Sequence, residues 1–236
     1  MSKLLRQYDN IANIILESAK QDSKYVVLRF HQHDFFEAEY KVGNIYKART
    51  DIDIGCGMYV FTKSEHVGFG STNDLSDGSV TQLYNRLATI ADTNAKAGLA
   101  TAAEIYDLPK QPNIGQDDLH YMHFDAADID IVELDQKLSV IHNELMAIDK
   151  TLTSLIRFNF ELDQWRIIRS DGTDVDWSNP KTRLMVQMTL KKDSASSSTA
   201  ARFFDTTPTE LFKGISLYTK DLKHAYKLLK DQITAD

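Results

Sequence analysis

Tyr25-Val26-Val27-Leu28-Arg29-Phe30, then Phe35 to Val42, Ile45 to Arg49, Gly57-Met58-Tyr59-Val60-Phe61 and His66-Val67-Gly68-Phe69 make up a stretch dominated by β-branched and aromatic residues. Only short polar or glycine breaks separate the runs, which is the signature of successive strands. Connections this short suit antiparallel meanders, because a parallel crossover needs about a dozen residues or more. On the N-terminal side, residues 3–20 predict an amphipathic helix, with Leu4, Tyr8, Ile11, Ile15 and Ala19 on one face. On the C-terminal side, Ser76 or Asp77 caps a helix whose buried face is Val80, Leu83, Leu87, Ile90 and Ala91.

The same grammar then repeats. Pro109, Pro112, Gly115 and Gln116-Asp117-Asp118 read as a surface loop. A helix follows with Ile131, Leu134, Leu138, Ile141, Leu145 and Ile148 in one stripe and Asp130 near its start. Residues 151–204 are strand-rich again: Thr151 to Phe160 and Gln164 to Arg169 flank a turn at Leu162-Asp163, and Ser170-Asp171-Gly172-Thr173 is a second turn. Arg183 to Leu190 is a further strand, and Ser194 to Thr199 reads as a flexible hairpin tip. Pro208 opens a short helix, and the last helix, from Leu217, puts Tyr218, Leu222, Ala225, Leu229 and Ile233 on one face. The fold class is therefore α+β, with two consecutive modules of mostly antiparallel sheet packed with helices: 1–97, a loop-rich connection at 98–130, and 131–236. A Rossmann-like or barrel fold is disfavoured.

Composition narrows function. The chain has 236 residues, 42% of them apolar and 26% charged, so a sizeable core is expected. A net charge of −7 argues against a general nucleic-acid binder. Lys220, Lys223, Lys227 and Lys230 on the last helix read as a solvated face rather than a membrane or nucleic-acid surface. The N-terminus does not read as a signal peptide, and no run approaches the roughly 18 to 20 apolar residues of a membrane span. With the single cysteine Cys56, these features place the chain in the cytoplasm as an expectation.

No self-sufficient catalytic motif is present. His31 and His33 sit two apart, so on a strand both would face one side and could reach one metal; the plainer reading is a polar strand end beside a turn at Asp34. His120 and His123 have helical spacing in an irregular region. Cys56 lies between Gly55 and Gly57 without a local base, and reads as a small buried residue at a strand start. Gly55-Cys56-Gly57 and Gly68-Phe69-Gly70 lack the third glycine of a dinucleotide fingerprint and read as bulges or close backbone approaches within strands. Ser71 belongs to a Ser-Thr-Asn-Asp turn. The pairs Asp51/Asp53 and Asp128/Asp130 have the residue types of a general acid and base, but paired exposed aspartates at loop ends are common and the plainer reading.

Taken together, Asp53-Ile54-Gly55-Cys56-Gly57-Met58-Tyr59-Val60-Phe61 and Val67-Gly68-Phe69-Gly70-Ser71-Thr72-Asn73-Asp74-Leu75-Ser76, followed by a helix, resemble the N-terminal domain of the TldD/PmbA family. Tyr25 to Phe30 is similar to that family's first strand. Trp165-Arg166-Ile167-Ile168-Arg169-Ser170-Asp171-Gly172 is similar to a later strand and turn. The resemblance covers nearly the whole chain. Met58 stands where the family carries arginine, and Gly70 where it carries alanine. The family's C-terminal domain, with a His-Glu-x-x-x-His zinc motif in TldD-type members, has no counterpart here, so no catalytic residue carries over. The resemblance implies a non-catalytic N-terminal half of a metallopeptidase, without cofactor, with zinc only in a missing or separate catalytic domain. The implied partners are a peptide or unfolded segment and a second subunit, as a homodimer or as a heterodimer with a TldD-like chain. Ser71, Thr72, Asn73 and Asp74 are the candidate peptide or interface contacts. Two other readings stay open: a free-standing adaptor or inhibitor of a separately encoded peptidase, and a small metal-dependent hydrolase using His31 and His33.

Overall fold

Alternation decides what is buried. Val26, Leu28 and Phe30 are fully buried, as are Met58 and Val60, while Arg29 between them is exposed. Successive strand side chains point to opposite faces, so these runs have one apolar face and one open face. The computed structural model describes residues 5–99 and 126–234. Within them β1 (Tyr25–Lys41), β2 (Asn44–Phe61), β3 (Val67–Thr72), β4 (Thr153–Arg169), β5 (Asp174–Lys192) and β6 (Ala195–Asp205) are strands. The helices are α1 (Asp9–Gln21), α2 (Asp77–Lys96), α3 (Ile131–Ile148), α4 (Pro208–Lys213) and α5 (Ile215–Thr234). The strand order is β3-β2-β1-β4-β5-β6. β3 runs antiparallel to β2 from Cys56↔Thr72 to Phe61↔Val67, and β6 antiparallel to β5 from Thr182↔Asp205 to Lys192↔Ala195.

The architecture is α+β, with antiparallel modules packed against helices. Contacts divide the chain into two compact units. One takes the described residues of 1–33, 52–122 and 163–178, the other those of 34–51, 123–162 and 179–236. Each unit thus includes the tip of a long hairpin from the other half of the sequence, whereas composition alone drew a boundary at 98–130. In the first unit α1 and α2 cover the inner strand face, with Ile11, Ile15, Leu83 and Leu87 packed on Leu28, Phe30 and Met58. In the second, Leu138, Leu145, Leu222 and Leu229 from α3 and α5 share a core with Phe158, Phe160, Val186 and Met188.

Several predicted ends coincide with real ones. Ser76 caps α2, its hydroxyl accepting from the Ser79 amide, and Asp130 caps α3, its carboxylate accepting from the amides of Val132 and Glu133. Pro208 opens α4 behind a Thr207 cap. At the turn after β4 the Gly172 amide donates to the Arg169 carbonyl. The four lysines of α5 are exposed, and Leu222, Leu229 and Ile233 are buried.

Other expectations are corrected. No turn interrupts β1 at Asp34, which is 3% exposed inside a strand, and none interrupts β4 at Leu162-Asp163. Asp51 and Asp53 lie within β2 rather than at loop ends. Ser194 to Thr199 is largely the first half of β6, not a hairpin tip; Ser197 pairs with Leu190 and Thr199 with Met188. Polar residues break strands only when nothing beside them supplies backbone partners, and here neighbouring strands do. Ile90 is 40% exposed, outside the buried face of α2. Leu4, the loop around Pro109 to Asp118, and His120 and His123 lie outside the described residues.

Candidate functional site

The open strand face of the first unit is not polar in the usual way. β1 presents Arg29, His31 and His33 at alternate positions, β2 presents Gly55, Gly57 and Tyr59, β3 presents Phe69 and Ser71, and β4 presents Trp165. The Trp165 ring stacks on His31 at a centroid distance of 3.8 Å and an interplanar angle of 13°, and Trp177 of β5 lies parallel to Trp165 at 6.1 Å. Across the face Tyr59 and Phe69 are 4.5 Å apart, and the Arg29 guanidinium lies 5.9 Å from the Tyr59 ring centre. Phe69 is 58% exposed.

Between these groups is a cleft of about 260 Å³, lined by Arg29, His31, Tyr59, Phe69, Ser71, Asn73 and Trp165, with Asp53, Gly55 and Gly57 among its other walls. Its depth comes from glycine. A Cβ on Gly57 would meet nothing closer than the Arg29 Cβ at 4.0 Å, so the backbone there leaves open space in the cleft wall. Gly55 is different: its Cβ would lie 2.8 Å from the Asn73 Oδ1, so Asn73 rests against bare backbone. The close approach expected of the paired glycines is most pronounced at Gly68, where a Cβ would fall 2.1 Å from the Leu87 carbonyl oxygen of α2.

The four expected contact residues separate into two pairs. Ser71 and Asn73 line the cleft, and the Asn73 amide donates to the Asp53 Oδ1 at 3.5 Å. Thr72 and Asp74 instead build the entry to α2. The Asp74 amide donates to the Thr72 Oγ1, and Asp74 accepts from the Ser76 amide at 3.0 Å and the Ser79 hydroxyl at 2.5 Å. Those hydrogen bonds, the Ser79 hydroxyl first, hold the Asp74 carboxyl below the usual carboxylate range.

His31 and His33 do share a face. The His31 Nε2 and the His33 Nδ1 each lie 3.0 Å from the same Asp163 Oδ1, so a carboxylate oxygen occupies the point where the two rings converge. Among the described residues no group of three or more His, Cys, Asp or Glu side chains is placed to hold a metal ion. Cys56 points into the core, 1% exposed, and burial pushes its thiol up to about 12, far from a thiolate nucleophile at neutral pH. In the second unit His142 Nδ1 lies 2.9 Å from the Ser154 hydroxyl, but Ser154 is itself buried and unreachable by substrate. The cleft offers aromatic faces for apolar or planar groups, a guanidinium for a carboxylate or carbonyl, and a hydroxyl and an amide at the rim. Arg29, Tyr59, Phe69, Trp165 and Trp177 were not singled out from the sequence. The available signal was that outward strand positions carry aromatic residues where solvent-facing ones are ordinarily polar.

No protein-family model matches the chain, and no curated protein is significantly similar to it. Solved structures do match. TldE from Thermococcus kodakarensis aligns with a TM-score of 0.69 at 12% identity, over 93% of this chain and 47% of its own. A proposed modulator of DNA gyrase from Bacteroides thetaiotaomicron aligns with a TM-score of 0.64 at 14% identity, over 94% and 49%. Another, from Thermotoga maritima, aligns at 0.60 and 14%, over 87% and 46%. The chain spans about half the length of these proteins. At this identity the likeness is one of fold: this chain is structurally similar to TldE and to gyrase-modulator proteins of the TldD/PmbA type.

Proposed function

We propose that this chain serves as a non-catalytic N-terminal half of a TldD/PmbA-like metallopeptidase of the cytoplasm. In this reading its aromatic cleft walls a peptide-binding space, and zinc chemistry is supplied by a separate or following domain in the same or a partner TldD-like subunit. The observation that carries the reading is the fold match along 93% of the chain to about half of TldE, joined to a cleft that offers aromatic faces, a guanidinium and polar rim groups. Ser71 and Asn73 would supply polar contacts to an extended peptide backbone, with its aromatic side chains against Tyr59, Phe69 or Trp165.

Both tryptophans of the chain, Trp165 and Trp177, belong to this face, so intrinsic fluorescence reports on it directly. Titration with short unstructured peptides containing Phe or Tyr is expected to give a saturable change. Gly57→Leu, which fills the cleft, is expected to weaken binding by at least about tenfold with an unchanged circular dichroism spectrum. A wild-type chain that responds to no such peptide and to no zinc-bearing TldD-type subunit would sink the proposal.

A further inference from the structure

β3 pairs with β2 only from Cys56 to Phe61, so the edge of β2 from Asn44 to Gly55 has no strand beside it on that side among the described residues. Every residue from Tyr46 to Asp53 is exposed, including Tyr46 at 52% and Ile52 at 62%. An open edge is a template for pairing, and proteins usually blunt it with proline, a bulge or charged side chains. The comparable unpaired stretch of β5, before its pairing with β6 begins at Thr182, is blunted by Pro180. The β2 edge has no proline, and its charges change sign about a centre: Lys47 and Arg49, then Thr50, then Asp51 and Asp53.

We propose that this edge is a self-complementary interface that joins β2 to β2 of a second copy of the chain, antiparallel and centred on Thr50. In that register Lys47 opposes Asp53 of the second copy and Arg49 opposes Asp51, and the two-fold axis repeats both pairs. On the other face Ala48 opposes Ile52, covering the exposed Ile52. The charges select this register. A slip of one residue takes every cation away from its carboxylate, and a slip of two sets Arg49 against Arg49 or Asp51 against Asp51. A parallel copy in register stacks like charge on like.

The chain's own ion pairs leave the edge unbalanced in the required sense. Lys47 and Arg49 share Glu37 at 3.3 and 3.2 Å, and Arg157 and Lys47 share Glu39 at 3.1 and 3.9 Å, so three cations face two carboxylates. Asp51 and Asp53 form no ion pair among the described residues. A single strand pairing buries little area beside a standard interface, so the association is weak and depends on concentration. It deepens the subunit-pairing part of the proposed function and meets the peptide cleft only at Asp53, one of the cleft's walls.

Sedimentation velocity over a concentration series tests it. The wild type is expected to shift from monomer to dimer as concentration rises. The Lys47→Glu/Arg49→Glu chain and the Asp51→Lys/Asp53→Lys chain are each expected to dimerise at least about tenfold more weakly. Mixed in equal amounts, the two chains present opposite charges at every facing position, and association is expected to return. A wild type that stays monomeric, variants that dimerise like the wild type, or a mixture that stays dissociated overturns the interface. Fluorescence titration of the Lys47→Glu/Arg49→Glu monomer with peptide separates this failure from failure of the peptide reading.

Discussion

Val42 and Gly43 join β1 to β2 with φ of +53° and +92°. Two successive positive φ values are what a tight two-residue hairpin turn requires, and glycine meets that demand at no steric cost. Valine does not, because its branched Cβ crowds the backbone in the left-handed region. Val42 also buries nothing in return, being 79% exposed. Val42→Asn is therefore expected to stabilise the protein by about 1 kcal/mol, read as a higher urea midpoint at unchanged slope. The sequence marks this turn weakly, since Val42 extends the apolar run before it. Ser170 to Thr173, rich in turn-forming side chains, is legible at once.

The contact between α2 and β3 is set by one missing side chain. Gly68 allows the Leu87 turn of α2 to lie directly on the strand, where a Cβ would stand 2.1 Å from a backbone oxygen. A backbone neighbour cannot swing aside, so Gly68→Ala is expected to cost about 1–3 kcal/mol, as overpacking does. Gly57→Ala, whose Cβ would meet nothing nearer than 4.0 Å, is the matched control and is expected to stay within about 0.5 kcal/mol. Chemical denaturation of both variants checks the pair. At this scale helix positions were largely readable, because caps and apolar stripes are local. Strand lengths were not: His33, Asp34 and Asp163 look like breaks, yet each lies within a long strand.

Across the first unit, a charge network ties the start of the chain to the β4–β5 hairpin. Arg166, 2% exposed, donates from Nε and Nη2 to the two Asp174 carboxylate oxygens at 2.9 and 3.1 Å, pairs with Asp9 at 2.6 Å and donates to the Leu5 carbonyl. Arg6 donates to Asp174 at 2.8 Å. Burial raises the Asp174 pKa, but the hydrogen bonds and charges of Arg166 and Arg6 outweigh it and hold the carboxyl below its ordinary value. A carboxyl depressed in the folded state stabilises above its unfolded pKa, near about 4, and that stability is lost as pH falls through the lower folded value. Asp174→Asn is accordingly expected to be less stable than the wild type at pH 7, with the gap narrowing in acid below about pH 4. Urea unfolding at neutral and acid pH checks the sign. A gap that persists unchanged in acid would show that Asp174 contributes by packing rather than by charge.

By itself the sequence determined most of the inward face of the helices, Ile90 excepted, because the helical period follows from local backbone geometry. It also determined the α+β class, the caps at Ser76 and Asp130, and the small-residue character of Gly55, Gly57 and Gly68. Only the tertiary structure decided how long the strands run, because a polar residue stays in a strand when a neighbour from elsewhere in the chain supplies its backbone partners. Only the tertiary structure assembled the cleft as well. Trp165 reaches His31 because β4 lies beside β1, an adjacency between residues far apart in sequence that no local pattern encodes.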